Sequence, residues 1–191
     1  MEQVIKYMNS ISPITGETIH ELTTIFKNQE LKKNELFIDT GKIAKNIGFL
    51  EEGIVRAYYR NTEGQEYNKH FFIAPCFIGG YSSLISRKPN LIIQQALTHC
   101  KIWEADYSKL TKLYDKHPDL ERMTRVLVEH FFIQKEQREV EIVLLNADER
   151  YKIFKQNFPE LEQLIPQYHI ASYLGITPTQ LSRIRRKLSE R

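Results

Sequence analysis

Apolar positions change their spacing more than once along the chain. Ile19, Leu22, Ile25 and Phe26 fall three and four apart, the repeat of a helix with one buried face. Thr18 is its expected cap, with Glu21 in the first turn. From Leu31 to about Asp106 the repeat shortens to that of strands. The runs are Leu36–Ile38, Ile47–Leu50, Ile54–Arg60, Tyr67–Ile73, Leu91–Leu97 and Lys101–Glu104, broken by turn residues at Gly41, Glu52-Gly53 and Asn61–Gly64. Short strands separated by frequent turns predict an antiparallel sandwich or barrel. Phe37, Phe49, Tyr58, Tyr59, Phe71, Phe72 and Phe77 are read as mostly its core.

From Asp119 to about Leu145 a helical repeat returns, with Pro118 just before it and Asp119 as its expected cap. Leu120, Met123, Leu127 and Phe131 form one stripe; Val126, Ile133, Val140 and Leu144 form another, largely at seven-residue spacing. A helix of about 26 residues is about 40 Å long. Two seams on one long helix predict that one packs on the barrel and the other on another copy of the chain. A single broad core-facing stripe in a monomer is the alternative. Ala147–Phe158 reads as a further helix, stopped by Pro159.

Residues 166–188 carry the densest set of signals. Ile170 and Leu174 share a helical face with the small Ala171; Gly175 ends that helix; Thr177 and Pro178 start the next as cap and first-turn proline. Leu181, Ile184 and Leu188 continue the apolar stripe, and Ile176 plugs the corner. This is a helix-turn-helix pattern. Thr179, Ser182, Arg183 and Arg186 recur on the opposite face with no carboxylate among them. Arg183 suits a guanine edge, while Thr177, Gln180 and the helix N-terminus suit phosphates. An amphipathic hairpin with a solvated basic face is the plainer reading. The agreement of glycine, cap, proline and plug favours DNA.

Charge sharpens this. The 191 residues hold 27 Lys and Arg against 24 Asp and Glu, a net charge of +3. Residues 146–191 hold eight against five, and the first 145 hold nineteen of each, so the excess sits wholly with the helix-turn-helix. No apolar run has the length of a membrane helix and the N-terminus lacks a signal-peptide core, so a cytoplasmic protein is expected. Cys76 and Cys100 form no motif, and His70, His99 and Cys76 lack metal-ligand spacing.

Barrel, long helix and helix-turn-helix in this order resemble the Crp/Fnr family of bacterial transcription regulators along nearly the whole chain. Leu31-Lys32-Lys33-Asn34-Glu35 with Gly41, Phe49-Leu50-Glu51-Glu52-Gly53 with Val55-Arg56, and Phe77-Ile78-Gly79 are similar to the family's cyclic-nucleotide-binding β-roll. Ile170 to Pro178 with Leu181-Ser182-Arg183 is similar to its DNA-reading motif, in which Pro178, Thr179 and Arg183 fall where bases are read. The resemblance implies an α+β fold: a β-roll (jelly-roll) sensor domain over 1–118, a dimerisation helix over 119–145 and a helix-turn-helix domain over 146–191. The chain given ends at Arg191, so the expectation is recognition without a C-terminal wing.

The implied DNA-binding residues are Thr177, Pro178, Thr179, Gln180, Ser182, Arg183 and Arg186. Leu120, Met123, Val126, Leu127, Ile133 and Val140 are the implied dimerisation residues. The implied effector pocket is Phe77, Ile78, Gly79, Gly80, Tyr81, Ser82, Asn90 and Leu91. Nucleotide-binding members carry a glutamate after Phe-x-Gly and later an arginine and a serine; here Gly80, Asn90 and Leu91 stand in those places. Cyclic AMP and cyclic GMP are therefore not expected as effectors, and no other cofactor or metal is indicated. Double-stranded DNA and a second copy are the implied partners, RNA polymerase a further one, and no membrane is involved. A cupin-like barrel enzyme would need a His-x-His metal set, but the strand Tyr67–Ile73 carries only His70, so no enzyme is expected. The remaining alternative is a ligand-binding regulatory module that acts through protein partners, its helix-turn-helix degenerate.

Overall fold

A computed structural model describes residues 1–189. Two N-terminal helices, α1 (Glu2–Ile11) and α2 (Gly16–Ile25), precede eight strands. The cap of α2 is Thr15, whose side chain accepts from Thr18 N, and not Thr18 as the pattern suggested. Thr18 is fully buried, and its hydroxyl donates to Asp119. Two threonines three apart offered the same local signal; burial decided between them.

The strands form two four-stranded sheets. One runs β1 (Lys27–Leu31), β8 (Cys100–Asp106), β3 (Asn46–Glu52), β6 (Cys76–Gly79). The other runs β2 (Leu36–Ile38), β7 (Ile93–Ala96), β4 (Ile54–Arg60), β5 (Glu66–Ile73). Pairing of β1 with β8, β2 with β7 and β3 with both β6 and β8 is antiparallel. In the first sheet Phe49 lies opposite Phe77 and Trp103, while Leu50 lies opposite Ile102. Alternation sends these two sets to different cores. Leu31, Leu50, Val55, Ile78, Ala96, Cys100 and Ile102 form one core of the β-roll. Phe49, Phe77 and Ala105 pack with Val4, Met8, Leu22, Leu120 and Met123 in the other. Tyr59, expected in a core, is 41% exposed.

The helices α3 (Tyr81–Ser86) and α4 (Tyr107–Lys112) interrupt and follow the roll, and α5 (Pro118–Leu144) is the long helix. Pro118 is its first residue. Asp119 lies inside the first turn, and its carboxylate accepts from Thr15 N at 2.7 Å and from the Thr18 hydroxyl, tying α5 to α2. Then follow α6 (Ala147–Asn157), α7 (Leu161–Leu164), α8 (Gln167–Leu174) and α9 (Pro178–Ser189). Asn146 and Glu149 close a reciprocal capping box at the start of α6.

The chain divides into two compact units. One comprises Met1–Ala57 and Phe71–Phe131; the other comprises Tyr58–His70 and Phe132–Arg191. The second unit thus contains the outer part of the β4–β5 hairpin together with the last four helices. The expected lack of a wing concerns chain beyond Ser189, outside the described residues. Among the described residues no helix is long and apolar enough to cross a membrane, and no three His, Cys, Asp or Glu side chains gather as a metal site would require.

Candidate nucleic-acid interface and β-roll cassette

Gly175 ends α8 in the left-handed region (φ 69°), and Ile176 N then donates to Ala171 O at 3.0 Å, closing the turn. A second reciprocal cap opens α9. Gln180 N donates to Thr177 Oγ1 at 3.2 Å, and Thr177 N donates to Gln180 Oε1 at 2.9 Å. The amide oxygen of Gln180 is therefore committed to the cap, leaving its NH₂ as the group that can donate outward. Ile170, Ala171, Leu174, Leu181 and Ile184 are buried, which locks the two helices to each other; Ile176 is half-buried at the corner.

All seven residues expected at DNA, Thr177, Pro178, Thr179, Gln180, Ser182, Arg183 and Arg186, are exposed. The structure also sorts the cations, which the sequence did not. Arg185 Nε lies 3.3 Å from Glu162 Oε1, and Lys187 Nζ pairs with Asp148. Arg183 and Arg186 have no carboxylate partner among the described residues. Glu162 also accepts from Tyr151 Oη at 2.7 Å. Burial, then the neighbouring carboxylate, pushes the Tyr151 phenol up to about 12, so it remains a proton donor to Glu162. The outward face of α9 thus presents hydroxyls and two uncompensated guanidinium groups, the chemistry that reads base edges and phosphates.

On α5 burial falls from the N-terminal turns towards the C-terminal ones. Leu120 and Met123 are 0% and 2% exposed in the protomer's own core, so they cannot face a partner, a correction to their expected dimerisation role. Val126 and Leu127 are half-buried. Ile133 and Val140 are about half exposed, and Phe132, Val143 and Leu144 add exposed apolar surface alongside them.

The expected effector pocket is only partly brought together. Gly80 and Asn90 meet: a Cβ on Gly80 would lie 3.1 Å from Asn90 Oδ1 and from Ala44 Cβ. Phe77 is buried in the core beneath the helices and Ile78 in the other core, while Tyr81, Ser82 and Leu91 are exposed. The polar groups of this segment serve the chain itself. Asn90 Nδ2 donates to Asp39 O and Ile92 O, Ser83 Oγ donates to Lys88 O and accepts from Ala44 N, and Gln94 Nε2 donates to Gly79 O. Sequence reasoning passed over Ser83 and Gln94, both buried. Gln94 Oε1 is left over, but it is an acceptor and would repel a phosphate oxygen. Arg87 and Lys88 are exposed, and buried Arg56 is bonded to Gln95. In the roll's interior, a Cβ on Gly48 would lie 2.8 Å from Phe37 Cζ and 2.9 Å from Ile102 Cγ2, so that space is filled. These residues do not fit a cyclic nucleotide, which needs a donor set for its phosphate and room for its sugar.

No curated protein sequence matches the chain. Residues 28–117 match the cyclic nucleotide-binding domain family. Three similar solved structures extend the likeness across both units. The c-di-GMP-responsive global regulator CLP of Xanthomonas campestris is 16% identical with a TM-score of 0.72, over 92% of each chain. FixK2 of Bradyrhizobium japonicum is 17% identical with a TM-score of 0.77, over 87% of this chain and 85% of that one. A transcriptional regulator assigned to the Crp/Fnr family from Eubacterium rectale is 14% identical with a TM-score of 0.71, over 92% and 84%. At such identities the likeness is one of fold: antiparallel β-roll, long helix and C-terminal helices.

Proposed function

We propose that this chain, which has the fold of Crp/Fnr regulators, is a DNA-binding transcription regulator of that type. It acts as a homodimer and reads a near-palindromic operator through α9. The observation that carries this reading is the outward face of α9. Thr179, Ser182, Arg183 and Arg186 stand exposed behind the Thr177–Gln180 cap, and the neighbouring cations Arg185 and Lys187 are paired off.

Within this reading, residues 1–118 are the β-roll, 119–145 the dimerisation helix and 146–191 the reading domain. Val126, Leu127, Ile133 and Val140 form the seam between copies. DNA, a second copy and, where the regulator activates, RNA polymerase are the partners, all in the cytoplasm. The segment around Gly80 and Asn90, closed by the chain's own amides, argues that cyclic AMP and cyclic GMP are not effectors. Calorimetry with either nucleotide should show no heat of binding, and micromolar binding would remove this part of the reading.

The alternative, a regulatory module with a degenerate helix-turn-helix, is separated by selection from a random duplex library. The regulator should enrich a near-palindrome whose half-sites lie about 34 Å, one helical turn, apart. Failure to enrich any sequence would favour the alternative.

A further inference from the structure

The first helix of the recognition hairpin is held against a strand. Among the described residues β5 stands at the end of its sheet, β2-β7-β4-β5. An edge of this kind presents outward N–H and C=O groups that need partners. Ser172 of α8 supplies one for each of two such groups. Asn68 N donates to Ser172 Oγ at 2.9 Å, and Ser172 Oγ donates to Glu66 O at 2.8 Å. One hydroxyl therefore makes the two bonds that a neighbouring strand would make. One turn earlier on α8, His169 O accepts from Asn68 Nδ2 at 3.1 Å, and both Asn68 and His169 are buried. These bonds fasten two successive turns of α8 to the hairpin, and all of these residues lie in the second compact unit.

We infer that Ser172 and Asn68 are positioning residues for DNA reading. Neither is on the outward face of α9, and the Ser172 hydroxyl is spent on the hairpin, with its proton on Glu66 O and a lone pair on Asn68 N. Because Ala171, Leu174, Leu181 and Ile184 lock α8 and α9 together, fastening α8 fixes the direction of the reading helix. A helix held in place beforehand loses less freedom when it docks, so the clamp raises affinity for every operator alike and adds nothing to base choice. This inference rests on the reading of α9 as the DNA-binding helix.

The test uses the full chain. Hydrogen exchange resolved at the Asn68 amide should show protection in the wild type and its loss in Ser172→Ala. Ser172→Ala and Asn68→Ala should each weaken operator binding about three- to tenfold, the range expected of one or two neutral hydrogen bonds. The loss should be equal across single-base operator variants, with the salt slope unchanged. The double variant should bind little worse than the weaker single one, since both break one clamp. Wild-type affinity in Ser172→Ala, or a gain, would overturn the inference, as would an Asn68 amide that exchanges at the wild-type rate in that variant. If the wild type binds no DNA at all, the functional reading fails instead, and the exchange measurement still decides whether the clamp exists.

Discussion

Gly175 and Gly48 show how differently two glycines resist replacement. At Gly175 the backbone is left-handed, and a Cβ would meet nothing within 4 Å. Gly175→Ala should cost only the backbone term, about 1 kcal/mol. Gly48 has a Cβ site already crowded by Phe37 and Ile102, so Gly48→Ala should cost about 1–3 kcal/mol by overpacking. Urea unfolding of both variants checks the ranking; a Gly48→Ala midpoint equal to the wild type would show that the roll has spare room. His70 makes a different kind of prediction. Burial, then the charges of Lys69 and Arg138, lowers it to about 4, whereas an ordinary histidine titrates near 6.5. Between those values the unfolded chain carries a proton that the folded chain refuses. Stability from His70 is therefore complete above about pH 6.5 and is lost as the pH falls toward 4, a change on the order of 3 kcal/mol. His70→Gln should flatten that part of the pH–stability curve; an unchanged slope would show that another group is responsible. At this scale the sequence was legible where a signal is local: Gly175 and Thr177-Pro178 did what their types dictate. It was not legible where partners come from afar, as with Arg185 and Glu162 or Ser172 and Glu66.

Among the elements, α5 gives the clearest division of labour. Leu120 is fully buried in its own protomer and Ile133 is 51% exposed, although both sit on apolar stripes of one helix. Leu120→Ala should cost about 2–5 kcal/mol of stability and leave association intact. Ile133→Asp should leave the fold intact and separate the copies. Light scattering, with denaturant unfolding beside it, distinguishes the two; an Ile133→Asp chain still at twice the chain mass would move the dimer seam elsewhere. The apolar stripes were legible in the spacing, but the point along the helix at which they turn from buried to exposed was not. Some elements had no readable pattern at all. β1, Lys-Asn-Gln-Glu-Leu, is an edge strand with a single buried residue, so the alternation that betrays a half-buried strand is missing. α4 is announced only by Asp106, whose carboxylate accepts from Ser108 N and Lys109 N, a signal easily lost after a strand.

For the whole molecule, the excess positive charge lies in residues 146–191, and the cassette of the roll is closed by the chain's own amides. On the proposed reading, the chemistry directed at DNA is concentrated in the C-terminal residues, and the polar groups around Gly80 and Asn90 are spent within the chain. The central claim is that α9 reads bases through Arg183. Titration of the wild type, Arg183→Ala and Arg186→Ala against an operator and its single-base variants, at several salt concentrations, tests it most directly. Arg183→Ala should keep its stability within about 0.5 kcal/mol. It should lose about 1–3 kcal/mol per half-site at one base-pair position only. Arg186→Ala should instead weaken all sequences alike and lower the salt slope by about one. An equal loss for Arg183→Ala across every variant would reduce it to a backbone contact, and no loss at all would mean that α9 does not enter the groove.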